Sequence, residues 1–452
     1  MIGVMKKHRT AHAKKKAAPT SHARSMVEAE NFGASSPAQG RLTVVRTEHD
    51  LRRVRKGDIV QFRREGDLVA YVTQAFDTGA CGFIASCGRT NHGVIAAKEL
   101  SVPFYVIRDH ILKAGAFYTL SRGVITEGRE ALPAAPKPQY PQPSKTKTEV
   151  RINLGFPSRR IEQEPALATY SDGVGFARLE FAILGIIGNQ HPITYLLKHG
   201  HERFVSKLYA ELQPAVKAFS GKSFWIRMDD FSPQQLKELK GGEKYEITTG
   251  NELVSFRGVA RSIDPKWLDL GNFEHRLKGV RWVELQLRAL AMLSKDFPKT
   301  QIGVFVPMVH DVSEYRAWKS LAEPILGNVD YGLMVEVPSV AGEGIRPFLD
   351  EHLISFMIIG SNDLTALTLG LDRNDMRLQH LFNEEHPSVL RAMEETIRNC
   401  KAHGVKTAIG GAAASRPSLI KRLFKTGIDV FSVNPDMETV TSVRDVLAQL
   451  EK

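Results

Sequence analysis

The chain has 452 residues, 42% of them hydrophobic and 25% charged, which is the balance of a folded globular protein with roughly two to four domains. No apolar run approaches the ~20 residues that span a bilayer, and the N-terminus lacks the apolar stretch of a signal peptide, so a cytoplasmic protein with no membrane contact is expected. The formal net charge of +11 is concentrated: seven Lys or Arg and no acid fall in the first 24 residues, leaving about +4 for the rest. Such a segment reads as a solvated arm, and nucleic acid is not expected as a partner. Three cysteines, Cys81, Cys87 and Cys400, form neither a disulfide framework nor a common zinc spacing.

In chain order, residues 1–41 read as a disordered basic arm, rich in Lys, Ala, Ser and Gly. Residues 42–130 carry short β-branched runs between turn signals: LTVV (42–45), DIVQF (58–62), LVAYVT (68–73), GFIAS (82–86), PFYVI (103–107) and GVIT (123–126). One helix is expected at about 92–100, giving a small α/β domain. Residues 131–150 hold five prolines and read as a semi-rigid linker, suited to a domain that travels. Residues 151–452 alternate strand-like runs with helical stretches, the pattern of a (β/α)8 TIM-type barrel. The strand candidates are GVGFARLEF (173–181), FWIRM (224–228), IGVFVPMV (302–309), YGLMVEVPS (331–339), FMIIGSND (356–363), KTAIGG (406–411) and DVFSVN (429–434).

Polar residues gather at the ends of these runs: Arg178 and Glu180, Arg227 and Asp229, Glu336, and Asn362 with Asp363. In a parallel barrel those ends converge on one mouth, where such barrels do chemistry. Two carboxylates from different strands, Glu336 and Asp363, can hold Mg2+ together with substrate oxygens. Arg178, Arg227, Arg257, Arg261 and Arg373 are more cations than two acids need, which points to an anionic ligand. A structural ion-pair network is the competing reading. In the first domain, GRTNHGVIAAKEL places His92 at a helix start, where an anion carried on imidazole is stabilised. Small Gly93 is expected to leave that face open.

The segment GRTNHGVIAAKELSVPFYV resembles the phosphohistidine segment of PEP-utilising enzymes. GVGFARLEFAILGIIGNQHP, SFRGVAR, YGLMVEVPS, IIGSNDLTALTLGLDRND and GIDVFSVNPD resemble the barrel motifs of phosphoenolpyruvate (PEP) synthase (pyruvate, water dikinase), in family order. The resemblance implies a swivelling phosphohistidine α/β domain followed by a PEP/pyruvate-binding barrel. It implies His92 as phosphoryl carrier, Arg178, Arg227, Asn362 and Arg373 around the phosphate, Arg257 and Arg261 lining the same mouth, and Glu336 and Asp363 on Mg2+. A homodimer through the barrel is a further expectation from it.

Two departures matter. The nucleotide-binding domain that precedes the histidine domain in PEP synthases has no counterpart in these 452 residues, so either a separate ATP-binding subunit supplies that half or His92 exchanges phosphate with another partner. The family's last barrel motif carries an acid/base cysteine, and here the segment reads IGGAAAS, with Gly410 at that position. General acid catalysis contributes typically 10²–10⁴-fold, so pyruvate chemistry is expected to suffer. Three readings stand: a PEP synthase half, a phosphotransferase with another enol or alcohol acceptor, and a weakened metal- and PEP-binding regulatory module.

Overall fold

The structure is a computed structural model that describes residues 26–33, 36–64, 68–87, 91–107, 111–132, 140, 142–248, 251, 253–372, 375 and 377–452, apart from the side chains of His92 and Ala412. The first 25 residues of the arm and residues 133–139 and 141 of the proline-rich stretch lie outside the described residues.

The N-terminal domain is an eight-stranded mixed sheet. Its strands are β1 (Met26–Glu28), β2 (Glu30–Asn31), β3 (Ala38–Val45), β4 (Ile59–Phe62), β5 (Gly82–Ala85), β6 (Phe104–Val106), β7 (Phe117–Ser121) and β8 (Val124–Glu127), in the order β1-β8-β7-β3-β4-β5-β6-β2. β3 to β6 run parallel, and β7 and β8 add an antiparallel hairpin. Only Ala29 separates β1 from β2, yet they pair with opposite edges of the sheet. The sheet therefore curls round a core that includes Leu42, Ile59, Ile84, Tyr105, Tyr118 and Leu120. Three strands thus begin within the stretch read as an arm to residue 41. Their side chains are largely exposed or half-buried in β1 and β2, so backbone pairing, not an apolar pattern, fixes them.

The run at 68–73, read as a strand, starts the helix Val69–Asp77. Its buried residues, Val69, Val72, Thr73 and Ala75, follow a helical period once the window is extended. The helix His92–Glu99 is capped by Asn91, whose Oδ1 accepts the N–H of Gly93 (2.9 Å) and of Leu68 (3.3 Å). A Cβ on Gly93 would overlap Leu68, so this glycine serves close packing of the helix start rather than an open face.

The second domain is a closed barrel of eight parallel strands: β9 (Glu149–Leu154), β10 (Gly173–Arg178), β11 (Ser223–Arg227), β12 (Gln301–Val306), β13 (Asp330–Val335), β14 (Phe356–Gly360), β15 (Lys406–Gly410) and β16 (Val430–Val433). β9 closes the barrel between β16 and β10 and starts inside the stretch assigned to the linker. Phe176, Trp225, Phe305, Met334, Phe356, Ile358, Ala408 and Val430 fill the interior. Trp225 and Phe356 stack with ring centroids 3.9 Å apart. Gly303 and Gly332 make room for that stack, since a Cβ on either would overlap one of the two rings.

The domains share one hydrophobic core. Ion pairs also cross between them: Arg64–Glu238 (2.7 Å), Asp77–Arg159 (3.0 Å) and Glu99–Arg178 (2.5 Å).

Candidate active site at the barrel mouth

Strand alternation builds the mouth. On β10 and β11, Phe176 and Trp225 face the barrel interior, so Arg178 and Arg227, two residues on, face the same way at the strand ends. The two arginines are register partners. Glu336 continues the inward line of Met334 just past β13. A Cβ on Gly360, at the end of β14, would lie 2.7 Å from Glu336 Oε2, so this strand end must be bare for the carboxylate to fit. The resulting cleft of about 440 Å³ is lined by Phe176, Arg178, Arg227, Asp230, Arg257, Met334, Glu336, Gly360, Ser361, Asn362, Asp363, Gly410 and Gly411 from the barrel. Ile95, from the helix that begins at His92, completes the lining. The helix start therefore belongs to an element seated on the mouth; the His92 imidazole and Arg373 lie outside the described parts.

The charges interlock. Arg257 grips Asp230 with Nε on Oδ1 (2.8 Å) and Nη2 on Oδ2 (2.6 Å), and Nη2 also reaches Asp363 (3.1 Å). Arg227 pairs with Glu180 and with Asp230 (3.2 Å). Arg227 Nε and Glu180 Oε2 are buried without a hydrogen-bond partner. Burial raises Asp230, but Arg257 and Arg227 more than offset it and hold the carboxyl below its usual range. Glu336 has the opposite fate. Burial, then Asp363 and Asp230, push it up to about 8. Its Oε1 accepts the N–H of Met308 (2.8 Å), a non-glycine residue held at φ 53.

Oxygens of Asp230, Glu336 and Asp363 lie within 4.8 Å of one another, and all three residues are buried. Three hard oxygen donors this close together suit a divalent cation such as Mg2+. Asp230 is the member sequence reasoning missed. Strand period 2 nominates Asp229 beside Arg227, but β11 ends at Arg227 and the turn reverses the order. Asp229 points away, accepting from Gln286 (2.7 Å) and Trp282 (3.2 Å). Arg261 does not line the cleft. It is bound to Glu246 (2.8 and 3.1 Å) and packs over Trp267; it lies on the helix Gly258–Ser262, whereas Arg257 is the extended residue before that helix, so the two side chains share no helix face.

The profile described as PEP-utilising enzyme, PEP-binding domain, matches residues 132–452. The chain belongs to the PEP-utilising enzyme family. It is 34% identical over 434 residues to the probable phosphoenolpyruvate synthase of Archaeoglobus fulgidus, covering 94% of this chain and 54% of that protein. It is 31% identical over 433 residues to the phosphoenolpyruvate synthase of Pyrococcus furiosus, covering 91% and 49%. The chain thus spans about half the length of the curated relatives it matches. No described helix is long and apolar enough to cross a membrane.

At the position of the family's acid/base cysteine, Gly410 lines the cleft. A Cβ there would lie 3.3 Å from Phe176 and 3.6 Å from Ile358, so a larger residue needs only small adjustments. Cys400 is no substitute. It is buried in the helix Pro387–Ala402, and burial pushes its thiol up to about 12.

Proposed function

We propose that the chain is a PEP synthase-like phosphotransferase, which exchanges a phosphoryl group between His92 and a PEP/pyruvate-like substrate held at the barrel mouth. The observation that carries this is the convergence of Arg178, Arg227 and Arg257 with three buried carboxylates, beneath the helix that begins at His92. Arg178 and Arg227 bind the phosphate, and Asn362 and Arg373 complete its contacts. Glu336, Asp363 and Asp230 would hold Mg2+, which when bound neutralises charge on phosphate and enolate oxygens. Transfer breaks the bond between phosphorus and the enol oxygen and forms one to an imidazole nitrogen, leaving the enolate with the bond's electron pair. Such a reaction needs positioning and charge more than covalent chemistry from the protein. Converting the enolate to pyruvate needs a proton on carbon, and Gly410 offers none. A separate ATP-binding subunit, a homodimer through the barrel and a cytoplasmic location belong to the same reading.

Radiolabelled PEP with Mg2+ is expected to label wild-type protein on His92, with no label on His92→Ala. Absence of wild-type label, or equal label on the variant, would sink the phosphocarrier role; PEP protection against unfolding without label would instead favour a regulatory module. Gly410→Cys is expected to raise exchange between PEP and pyruvate. Unchanged exchange favours the second reading, transfer to another enol or to an alcohol acceptor, which needs no proton on carbon.

A further inference from the structure

The helix His92–Glu99 meets the barrel along one face. His92, Ile95 and Glu99 stand at i, i+3 and i+7, positions that share a helix face. Ile95 lines the cleft, and Glu99 ends the helix about 10 Å along its axis from His92. The Glu99 side chain is 2% exposed, and each carboxylate oxygen has its own partner in the barrel. Oε1 accepts from Arg178 Nη1 (2.5 Å), and Oε2 accepts from the backbone N–H of Gly155, just past β9. A Cβ on Gly155 would overlap that carboxylate and the Phe181 ring.

Two bonds to two different strand ends fix both the place and the rotation of the helix. The arginine alone could swing with the carboxylate, but the Gly155 N–H belongs to the barrel backbone. The contact is also compatible with a loaded mouth. A guanidinium carries five N–H donors, so Arg178 can hold Glu99 through Nη1 and serve a phosphate as well. Burial raises the Glu99 carboxyl above its ordinary range despite Arg178 and Gly155. A buried ion pair of this kind gains little net stability, because desolvation offsets attraction. What this one supplies is geometry.

We propose that Glu99 is a positioning residue that seats the histidine helix on the loaded mouth, so that the imidazole of His92 and the substrate phosphorus meet at transfer distance. This rests on the phosphotransfer reading above. The docked domain and the bound substrate then coexist, with Arg178 shared between Glu99 and the phosphate. Glu99 touches no reacting atom; it acts through Arg178, Gly155 and the helix that it ends.

The test uses the full chain as wild type, Glu99→Asp and Gly155→Ala, with circular dichroism to confirm folding. Aspartate keeps the charge but falls one methylene short. The alanine methyl displaces the carboxylate from the barrel side and leaves Glu99 and Arg178 in place. In both variants, single-turnover labelling of His92 by saturating radiolabelled PEP with Mg2+ is expected to slow about 10²-fold, the cost of a misplacement of about 1 Å. PEP affinity is expected to stay within a few-fold of wild type. Phosphoramidate, a small donor that needs no barrel, is expected to label His92 equally in every chain. An unchanged rate in Glu99→Asp overturns the proposal, because charge alone then suffices; if that variant does not fold, an unchanged rate in Gly155→Ala does so. Weaker PEP binding with an unchanged rate at saturation makes Glu99 a binding residue and also overturns it. Unequal labelling by phosphoramidate places the fault inside the histidine domain, again against the proposal. A wild type that PEP does not label overturns the phosphotransfer reading rather than the seating. Amide exchange then decides: faster exchange along residues 92–99 in Glu99→Asp supports the seating, and unchanged exchange overturns it.

Discussion

At Glu336, burial and two neighbouring carboxylates act in the same direction and hold the carboxyl near 8 instead of its ordinary 4.5. The folded chain keeps a proton there that the unfolded chain releases above pH 4.5, so metal-free stability falls as pH rises from 4.5 to about 8 and then levels. Glu99 and Asp229 are also raised, so Glu336→Gln should flatten this slope without abolishing it. A metal ligand must be deprotonated to bind. Mg2+ is therefore expected to raise the melting temperature more near pH ~8 than near pH ~6, and Glu336→Gln should lose that difference. Equal Mg2+ shifts at both pH values in wild type would disprove the role. Glu336 and Asp363 could be nominated from sequence because each ends an apolar run. Asp230 could not, because only the turn after β11 decides which of two adjacent aspartates faces inward. Glu99 was equally hidden, since its partner Arg178 lies in another domain.

Among elements, the segment Met26–Asn31 has an effect out of proportion to its length, because it pairs with both edges of the first sheet. Unpaired edges present open N–H and C=O groups and invite aggregation. A chain starting at Gly33 is expected to be less stable than one starting at Met26 by roughly 3 kcal/mol, at ~1 kcal/mol for each net backbone hydrogen bond lost. Denaturant unfolding and light scattering would check this; equal stability and solubility would show that the pairing is dispensable. These strands left no apolar pattern to read, and β9 was hidden by the proline-rich stretch before it. Seven of the eight barrel strands were legible because their cores are continuous apolar runs buried on both faces. The helix Val69–Asp77 was misread because a six-residue window of β-branched residues does not reveal a period of 3.6.

For the whole molecule, the question is which contacts hold the two domains together. The peripheral pairs differ from the central one: Arg159 and Asp77 are 38% and 49% exposed, while Arg178 and Glu99 are 10% and 2%. Exposed ion pairs contribute little and are screened by salt. Arg64–Glu238 is intermediate, and Arg64 also stacks on Tyr71 at 4.0 Å. The shared apolar core supplies most of the attraction, and the burial of the central pair shields it from salt. Charge reversal at Arg64 and Arg159 together is therefore expected to speed amide exchange along residues 92–99 by less than about tenfold. High salt should act on wild type in the same direction and, by screening the like-charge pairs that the reversal creates, should slow exchange in the reversed variant. An acceleration well above about tenfold would show that the peripheral pairs, and not the shared apolar core, hold the domains together.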